Sequence, residues 1–504
     1  MHESAAASFT SRRTLGRPLI MGTFAASVLI LSACGGSDRT SQVQVPQVPL
    51  DPELVAEGQK VFRHDTFGDE TFWTDVLKMH EVIEEAVDPL TAASVGLKID
   101  AEALPDEVVQ GVLDGSIPLD DPQTTLALLS LDAVVGAKGK VSTGADGRLH
   151  LDQFGITCAL CHSTVSRDLD LPVASTDVNL RGIVGTRLDG WPNRDLMPGT
   201  IISLSPAVTE KQAEEYASWA AQPQYGPGFY DPRINVWTDP GSNPALVGTN
   251  IDANLAAYKA KGGNPVVIPP AFGLVGLDKA IFTGDGDTEH EPAGPVSYWN
   301  RYVGVVQMHG HGTFFDERLI INGKPLRVDH REDDDRITDI LPALEAYQWS
   351  IPAPSLAKDG DKWGVTASLD AAAVTRGRQL FNGQANCASC HSGEAFTDVN
   401  TVGLHPASDS VALDKKYIDF SATKQWRVTP LKGIWQHPPY FHDGSGAFDA
   451  AAGACLDGSD IGTLAGSDQV TEDLACVINR YDSVKNLRLT DAQRVDLVEY
   501  LKSL

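Results

Sequence analysis

The sequence predicts a mainly α-helical protein with two related helical domains, the first of which carries large, loop-rich insertions. The prediction rests on a C-x-x-C-H motif that occurs at Thr157–His162 and again at Asn386–His391. It rests also on helical patterns that repeat around each motif. At 504 residues the chain is too long for one hydrophobic core, so two domains with insertions are expected.

A similar helical pattern opens each domain. The segments EGQKVF and RGRQLF, which end at Phe62 and Phe381, each place a glycine one turn before the aromatic residue. Because glycine has no Cβ, we expect another helix to cross closely at this point. Cys387 follows Phe381 by six residues, whereas about a hundred residues separate Phe62 from Cys158. Domain one is therefore predicted to contain a large insertion before its motif.

The helices that close the two domains also match. Residues 344–351 (LEAYQWSI) correspond to residues 497–504 (LVEYLKSL), and a Thr-Asp pair typical of a helix start precedes each. A linker with Pro and Gly, residues 352–364, separates the domains. The predicted N-terminal haem domain covers residues 52–355, and the C-terminal one covers residues 366–504.

The C-x-x-C-H motif is the signature of covalent c-type haem attachment. Cysteines at i and i+3 share one face of a helical turn, so both thiols can reach the vinyl groups of one porphyrin. The histidine that follows is the predicted proximal iron ligand. Two covalently bound haem c groups and two cytochrome c-like domains are expected. The residues that would hold them are Cys158, Cys161 and His162, and Cys387, Cys390 and His391.

Two other interpretations of the cysteine pairs stay open. The four cysteines could form a zinc site, or each pair could be a redox-active dithiol. Both interpretations leave the histidine after each pair unexplained.

The composition limits the partners. A formal net charge of −27 disfavours binding to nucleic acid or, by charge, to an anionic membrane. It favours a basic partner such as a small redox donor protein of the cytochrome c or cupredoxin type.

The N-terminus predicts export. Arginines precede an apolar run from Leu19 to Leu31 that is too short for a mature membrane span. The run leads into Leu31-Ser32-Ala33-Cys34-Gly35, which resembles a bacterial lipobox. That resemblance implies a signal peptide at residues 1–33, a lipid on Cys34 and a flexible tether at residues 34–51. The protein would then be lipid-anchored in the periplasm and contact the membrane through this anchor only. The alternative is an ordinary secretory leader with a chance cysteine.

The C-terminal domain resembles that of a known enzyme family. The segments NCASCHSGEAFTD, RVTPLKGIWQHPPYFHDGS and YLKSL are similar to the C-terminal haem domain of dihaem cytochrome c peroxidases and MauG-type enzymes. In that family a methionine or tyrosine before the HDG ligates the iron, but this chain has Phe441 there. Dihaem rubber oxygenases, a related group, use a histidine, so the resemblance implies His442 as the ligand. Alternatively, His442 only forms hydrogen bonds.

For the first haem, the segment Gln307–Gly312 (QMHGHG) is a dense cluster of possible ligands. It precedes the closing helix of domain one, much as YFHDGSG precedes the last helix. Met308 is therefore a candidate iron ligand, and His309 and His311 are candidate ligands or catalytic acid/base groups for peroxide cleavage. Structural or surface histidines in a glycine-rich loop are the alternative.

Three further features are weaker predictions. Trp191 is similar to the tryptophan between the two haems in this superfamily, and Trp435 is another candidate; ordinary core residues are the alternative. Cys455 and Cys476 flank a Gly/Asp loop and are expected to form a disulfide. An acidic loop could hold calcium or simply be solvated; it contains Asp285, Asp287, Glu289 and Glu291.

Together these features predict an extracytoplasmic dihaem oxidoreductase. By the resemblance, electrons would pass from the C-terminal to the N-terminal haem, where hydrogen peroxide or dioxygen reacts. Peroxide reduction is the leading expectation. Oxidation of an organic substrate and simple electron transfer, with both irons six-coordinate, are the alternatives.

Overall fold

The computed structural model describes residues 50–174, 176–208, 210–218, 226–230, 264–321, 324–325, 330–365, 368–456 and 469–504. The predicted signal peptide, Cys34 and most of the predicted tether lie outside these ranges. The described residues all belong to one folded unit, Val43–Leu504. No helix within the described ranges has the length and apolar character needed to span a bilayer.

Helices occur in both halves of the described chain. The α-helices are α1 (Pro52–His64), α2 (Met79–Ala86), α3 (Pro89–Ser94), α4 (Asp106–Leu113), α5 (Pro122–Ser130), α6 (Ala159–His162), α7 (Pro198–Ser203), α8 (Glu210–Ser218), α9 (Pro295–Tyr302), α10 (Leu341–Ser350), α11 (Leu356–Trp363), α12 (Ala371–Asn382), α13 (Gln469–Lys485) and α14 (Asp491–Lys502). The π-helices are Thr71–Val76 and Val303–Gln307. The 3₁₀ turns are Ala101–Ala103, Glu317–Leu319, Thr338–Ile340, Cys387–Ser389, Ala407–Asp409, Tyr417–Phe420 and Ile434–Gln436.

The strands pair two by two, and all but β2 and β3 have two or three residues. They are β1 (Ile99–Asp100), β2 (Ala137–Thr143), β3 (Leu149–Ile156), β4 (Ser163–Val165), β5 (Val184–Gly185), β6 (Arg187–Asp189), β7 (Phe229–Tyr230), β8 (Val266–Val267), β9 (Ile320–Ile321), β10 (Lys324–Pro325), β11 (Leu404–Pro406), β12 (Gln425–Arg427), β13 (Phe448–Asp449) and β14 (Ala454–Cys455). The described sheets pair β1 with β5 in parallel, and β2 with β3, β4 with β6, β7 with β8, β9 with β10, β11 with β12 and β13 with β14 antiparallel.

These strands correct the predicted fold class in part. The helices predicted around both motifs are present, but the fold is a mixture of helices and short sheets rather than mainly α. Strands of two or three residues are too short to show an alternating pattern in the sequence. The predicted linker is also more ordered than expected, because it contains α11. The assignment of two cytochrome c-like domains stays a prediction.

In the first half, α1 and α10 cross closely at Gly58. A Cβ on Gly58 would overlap the carbonyl oxygen of Ala343 and lie 2.7 Å from the Cβ of Tyr347. The rings of Phe62 and Tyr347 meet edge to face, with centroids 5.4 Å apart. The predicted close crossing at this glycine is confirmed.

In the second half, α12 and α14 repeat this arrangement at Gly377. A Cβ there would overlap the carbonyl oxygen of Asp496 and lie 2.7 Å from the Cβ of Tyr500. The rings of Phe381 and Tyr500 again meet edge to face, 5.2 Å apart. The predicted cap of the last helix is present too, since Thr490 and Gln493 form a capping box. The chain therefore contains two copies of one helix pair.

A second element also occurs once in each half, before the closing helix. Gly273 and Gly433 have φ values of 67° and 72°. Their N–H groups donate to the carbonyls just after the closing helices, at Ile351 (2.9 Å) and Leu504 (3.2 Å). The same left-handed glycine conformation thus anchors the two segments to equivalent helices.

Each segment continues into a matching loop. Ala280 forms a β-bridge with Gly286, as Tyr440 does with Gly446. The residue after each bridge start, Ile281 or Phe441, has a positive φ of 58° or 64°. We call these the 280–286 loop and the 440–446 loop. The counterpart of the 440–446 loop is therefore residues 280–286, not residues 307–312 as the sequence order suggested.

The two loops meet at the junction of the halves. The backbone N–H of Val267 donates to the carbonyl of His442 (3.0 Å), and that of Arg427 donates to the carbonyl of Phe282 (2.8 Å). Val267 corresponds to Arg427, and Phe282 to His442, so the hydrogen bonds are reciprocal. The halves therefore pack about an approximate two-fold axis at this point.

Candidate functional site

The first cysteine pair lies where a hairpin meets a short helix. Strand β3 ends at Ile156, and Cys158 follows at the start of α6. Gly136 at the start of the hairpin allows this approach, because a Cβ there would overlap the backbone of Leu160. Cys158 is buried and Cys161 is partly buried, and neither forms a disulfide.

The chemistry of this pair does not suit a redox dithiol. Burial raises the pKa of both Cys158 and Cys161 to about 12, whereas reactive dithiols need a lowered pKa. Burial likewise raises the pKa of Cys387 to about 11. Thiols with such a raised pKa carry little thiolate at neutral pH, which disfavours thiol exchange.

His162 presents one ring nitrogen toward a ligand. Its Nδ1 donates to the carbonyl of Pro269 at 3.0 Å, which leaves Nε2 free of the proton. Burial lowers the pKa of His162 to about 4, so the ring is neutral at physiological pH. A neutral imidazole fixed by a backbone hydrogen bond is the usual form of a histidine that binds a metal.

His391 is held in the same way. Its Nδ1 donates to the carbonyl of Phe396 at 3.1 Å, and the backbone of Thr429 also contributes a hydrogen bond. Burial lowers the pKa of His391 as well. Thr429 stands four residues before Gly433, as Pro269 stands four before Gly273, so the two histidines have equivalent partners. The halves therefore repeat the histidine environment as well as the helices.

A large cavity adjoins the first motif. It has an empty volume of about 1340 Å³, a figure that includes space open to solvent. Cys158, Cys161 and His162 form part of its wall, and most of the other lining side chains are apolar, among them Ile83, Leu129, Phe154 and Leu196.

The cavity's apolar lining fits a haem, and two thiols and a neutral imidazole form part of its wall. A zinc site built from all four cysteines does not fit. Within the described residues, the one group of three or more side chains close enough to share an ion is Cys390, Asp398 and His405. In that group, His405 Nε2 already lies 2.9 Å from Asp398 Oδ2.

Gln307 lies on the cavity wall. It belongs to the second π-helix, a form that is common at functional sites. The candidates that the sequence pattern indicates, Met308, His309 and His311, come just after it. The pattern Q-M-H-G-H does not single out Gln307, because the spacing of residues in the sequence cannot reveal that one glutamine lies on a cavity wall.

Met308, His309 and His311 are not among the residues that line this cavity. Met308 is buried, and its carbonyl accepts from the indole Nε1 of Trp73 at 3.3 Å. The ring of His309 stacks on Phe72 at 3.6 Å, burial lowers its pKa to about 3, and its Nε2 has no hydrogen-bond partner. The Nδ1 of His311 lies 2.7 Å from Glu332. Ligand or catalytic roles for Met308, His309 and His311 stay predictions.

His442 is buried at the junction of the halves. Its ring lies 4.7 Å from the rings of both Tyr417 and Trp426, and its Nε2 lies 3.8 Å from Asp414 Oδ2. Phe441, the preceding residue, packs on Tyr481 with ring centroids 6.2 Å apart. Neighbouring side chains of this loop therefore have separate surroundings.

Three tryptophans connect the halves. Trp191 contacts Trp435 at 5.8 Å and Trp363 at 5.6 Å between ring centroids. Trp191 follows Gly190, whose N–H donates to the carbonyl of His162 at 2.8 Å. Both tryptophans named from the sequence thus lie in one buried cluster.

The carboxylates of the acidic loop pair with other groups of the same chain. Asp285 accepts from the backbone N–H groups of Ala422 (3.0 Å) and Thr423 (3.1 Å). Asp287 pairs with His290 at 2.6 Å, and Glu291 pairs with Arg301 at 2.6 Å. These pairings use the oxygens that a calcium ion would need, so this loop does not fit a calcium site. Elsewhere, Cys455 and Cys476 form a disulfide with an S–S distance of 2.02 Å.

No protein-family model and no curated protein sequence matches this chain. Among solved structures, it is similar to a MauG-like protein associated with microbial copper homeostasis, with 18% identity over 47% of this chain and 73% of that chain. It is similar also to hydrazine synthase of Kuenenia stuttgartiensis, with 18% identity over 48% of this chain and 73% of that one. The TM-score is 0.27 in both cases. Likenesses this weak support no functional inference. The proposed function therefore rests on the residues of this chain.

Proposed function

We propose that the protein is a dihaem c-type oxidoreductase that reduces hydrogen peroxide. The observation that carries this proposal is the repeated site: in each half, a C-x-x-C pair precedes a neutral histidine whose Nδ1 is tied to a backbone carbonyl. Haem bound at these residues would supply the iron redox chemistry. His162 and His391 would be the proximal ligands through Nε2.

The proposed reaction converts hydrogen peroxide to two water molecules, with two electrons from a donor protein and two protons from solvent. Gln307 lies on the wall of the first cavity, where its side-chain amide would donate a hydrogen bond to an oxygen atom of the peroxide. The contact between Trp191 and Trp435 offers a buried aromatic link between the halves. We propose that electrons enter at the C-terminal half and leave at the N-terminal half.

The charge of the chain supports a basic electron donor. At −27, the protein would attract a positively charged small redox protein, and salt would weaken that attraction. We propose a periplasmic location with a lipid on Cys34. Labelling by a fatty-acid analogue that is lost in a Cys34→Ala variant would test the anchor.

The test of the reaction uses purified holoprotein, a reduced basic cytochrome c and hydrogen peroxide. We expect peroxide-dependent oxidation of the cytochrome that slows as ionic strength rises and falls to background in His162→Ala. His150→Ala is a control, because His150 is partly exposed and bound to Glu84. Oxidation that proceeds equally well in His162→Ala would refute the proposed peroxidase.

A second candidate function is oxidation of an apolar organic molecule, because a second cavity adjoins the first. It has an empty volume of about 570 Å³, and every residue that lines it has an apolar side chain. The residues that line both cavities are Pro89, Ala93, Ile99, Leu128 and Ile183. A hydrocarbon held there would lie beside the cavity whose wall includes the first motif.

This second candidate is tested by filling the cavity. Val112, on α4, lines it, whereas Gln110 on the same helix is exposed. Decane is expected to shift the haem absorption spectrum of the wild type and of Gln110→Trp but not that of Val112→Trp. The same shift in all three proteins would place decane elsewhere.

A further inference from the structure

We propose that Arg194 and Arg427 each bind a propionate carboxylate of a haem at the junction of the two halves. The inference rests on the proposed function, because it requires haem at the two motifs. It adds to that function two carboxylate-binding side chains, each of which belongs to one half and reaches into the other.

The two arginines have no carboxylate partner in the part of the chain that the structure describes. The buried basic residues Lys98, Arg187 and Lys502 each lie within 3.4 Å of a carboxylate. By contrast, no described carboxylate lies within 4.0 Å of the guanidinium of Arg194 or Arg427. Because a guanidinium stays charged at neutral pH, both side chains lack an anion to balance that charge.

Arg194 extends from the first half to the second. Its Nη1 donates to the backbone carbonyl of Gln436 at 3.0 Å, while its Nε is buried and has no hydrogen-bond partner. Burial lowers the pKa of Arg194, and the carboxylates of Asp195 and Asp473 offset this effect only in part. Both carboxylates have other partners, since Asp195 pairs with Lys98 at 2.5 Å and Asp473 accepts from a backbone N–H at 2.7 Å.

Gln436, to which Arg194 is bound, has unpartnered polar atoms of its own. The residue is 0% exposed, and neither its amide nitrogen nor its amide oxygen has a hydrogen-bond partner. Such a buried amide destabilises the protein unless another group binds it. A carboxylate accepts hydrogen bonds from guanidinium and amide N–H groups alike, whereas Arg194 would repel a cation. The chemistry of these atoms therefore fits a carboxylate.

Arg427 extends in the opposite direction, from the second half to the first. Its Nε donates to the carbonyl of Ile281 at 2.8 Å, while its Nη1 is buried and has no hydrogen-bond partner. Burial lowers the pKa of Arg427 to about 10, and no nearby carboxylate offsets this effect. The guanidinium is still charged at neutral pH, so it too can bind an anion.

Both arginines lie close in sequence to residues that bind the motifs. Asn193, which precedes Arg194, donates its backbone N–H to a carbonyl of the first motif at 2.8 Å. Thr429, two residues after Arg427, contributes a backbone hydrogen bond to the histidine of the second motif. A haem carries two propionates, and these carboxylates need hydrogen-bond donors wherever they leave water. Haem propionates are therefore the anions that these two arginines match.

The test measures the reduction potentials of both haems in holoprotein by spectroelectrochemical titration. Arg194→Gln and Arg427→Gln each remove a positive charge, whereas Arg194→Lys and Arg427→Lys keep it. Arg148→Gln is the control, because it removes the same charge at an exposed position. A positive charge favours reduced haem, so each of the first two variants should lower the ratio of reduced to oxidised haem on the order of tenfold, or 59 mV. The lysine variants should restore it, which they would not do if the arginines only supported the packing.

Infrared spectroscopy identifies the bound carboxylate. Haem made from δ-aminolevulinic acid with an isotopic label at its carboxyl carbon carries that label in its propionates. Redox difference spectra of labelled and unlabelled holoprotein then isolate the propionate bands. We expect these bands to shift in Arg194→Gln, in Arg427→Gln and in Gln436→Leu, which removes the unpartnered amide and keeps both arginines.

Unchanged potentials in Arg194→Gln or Arg427→Gln would overturn the proposal for that arginine. Propionate bands that the variants leave unchanged would overturn it as well, because the arginines would then bind water or another anion. If the arginine variants do not fold, the bands of Gln436→Leu still decide. Fewer than two haems in the wild type would instead refute the proposed function. Potentials that shift as expected in a protein without peroxide turnover would refute the peroxidase reaction alone.

Discussion

Replacing Gly377 with alanine tests the repeated helix crossing most directly. The new Cβ would overlap the carbonyl oxygen of Asp496 and lie 2.7 Å from the Cβ of Tyr500. The obstacle is backbone, which cannot rotate away as a flexible side chain can. Overpacking of this kind costs about 1–3 kcal/mol, sometimes more. Alanine regains about 1 kcal/mol of helix propensity, so a net loss of up to about 2 kcal/mol in unfolding free energy is expected.

Urea unfolding followed by circular dichroism measures this loss. Gly58→Ala should behave alike, since its Cβ would overlap the carbonyl of Ala343. Gly226→Ala is the control, because its Cβ would meet nothing within 4 Å. Gly58→Ala and Gly377→Ala variants as stable as the control would refute the close crossing in both halves.

Three further predictions concern charge, electron transfer and the cavity. Burial raises the pKa of Glu345 to about 7 from 4.5, so the wild type should lose stability as pH rises from about 4.5 to 7. In Glu345→Gln the side-chain oxygen can still accept a hydrogen bond from the Ser297 N–H. At pH 8 this variant should be more stable than the wild type by about 3 kcal/mol in urea unfolding. Equal stability of the two proteins at pH 8 would contradict a buried charge on Glu345. Trp191→Phe weakens the contact with Trp435, so stopped-flow reduction of the first haem should slow while haem content stays unchanged; an unchanged rate would exclude this route. Gln307→Leu should slow the reaction with peroxide in single-turnover spectra, and an unchanged rate would show that the amide makes no contact with peroxide.

The parts of the fold that the sequence predicted are those with local patterns. The crossings at Gly58 and Gly377 follow from a glycine one turn before an aromatic residue. The final helix follows from the Thr490 cap and the apolar residues after it. Such patterns lie within a few residues of one another, so they survive without knowledge of the tertiary structure.

The counterpart of the 440–446 loop could not be found in this way. AIFTGDG and YFHDGSG share little beyond their glycines, and the likeness lies in the backbone. Ile281 and Phe441 both have positive φ, which side chains of this type rarely adopt. Amino-acid composition does not reveal a residue with positive φ. The order of the predicted elements pointed to residues 307–312 instead. The short strands and α11, with Gly360 inside it, were missed because their local signals are weak.

The site was predictable only where its residues are adjacent in sequence. The cysteines and the histidine of each motif are close in space because they are adjacent in sequence. The fold adds the carbonyls of Pro269 and Phe396, which orient the histidines. Gln307 and the residues that separate His442 from Phe441 come from distant segments. Their roles depend on packing that no spacing rule describes.

The most direct test of the account is the intact mass of the purified, exported protein. Covalent attachment predicts the mass of the polypeptide plus two haem groups, and plus one in a variant with Cys387→Ala and Cys390→Ala. The bare polypeptide mass for the wild type, together with no pyridine haemochrome signal, would contradict it.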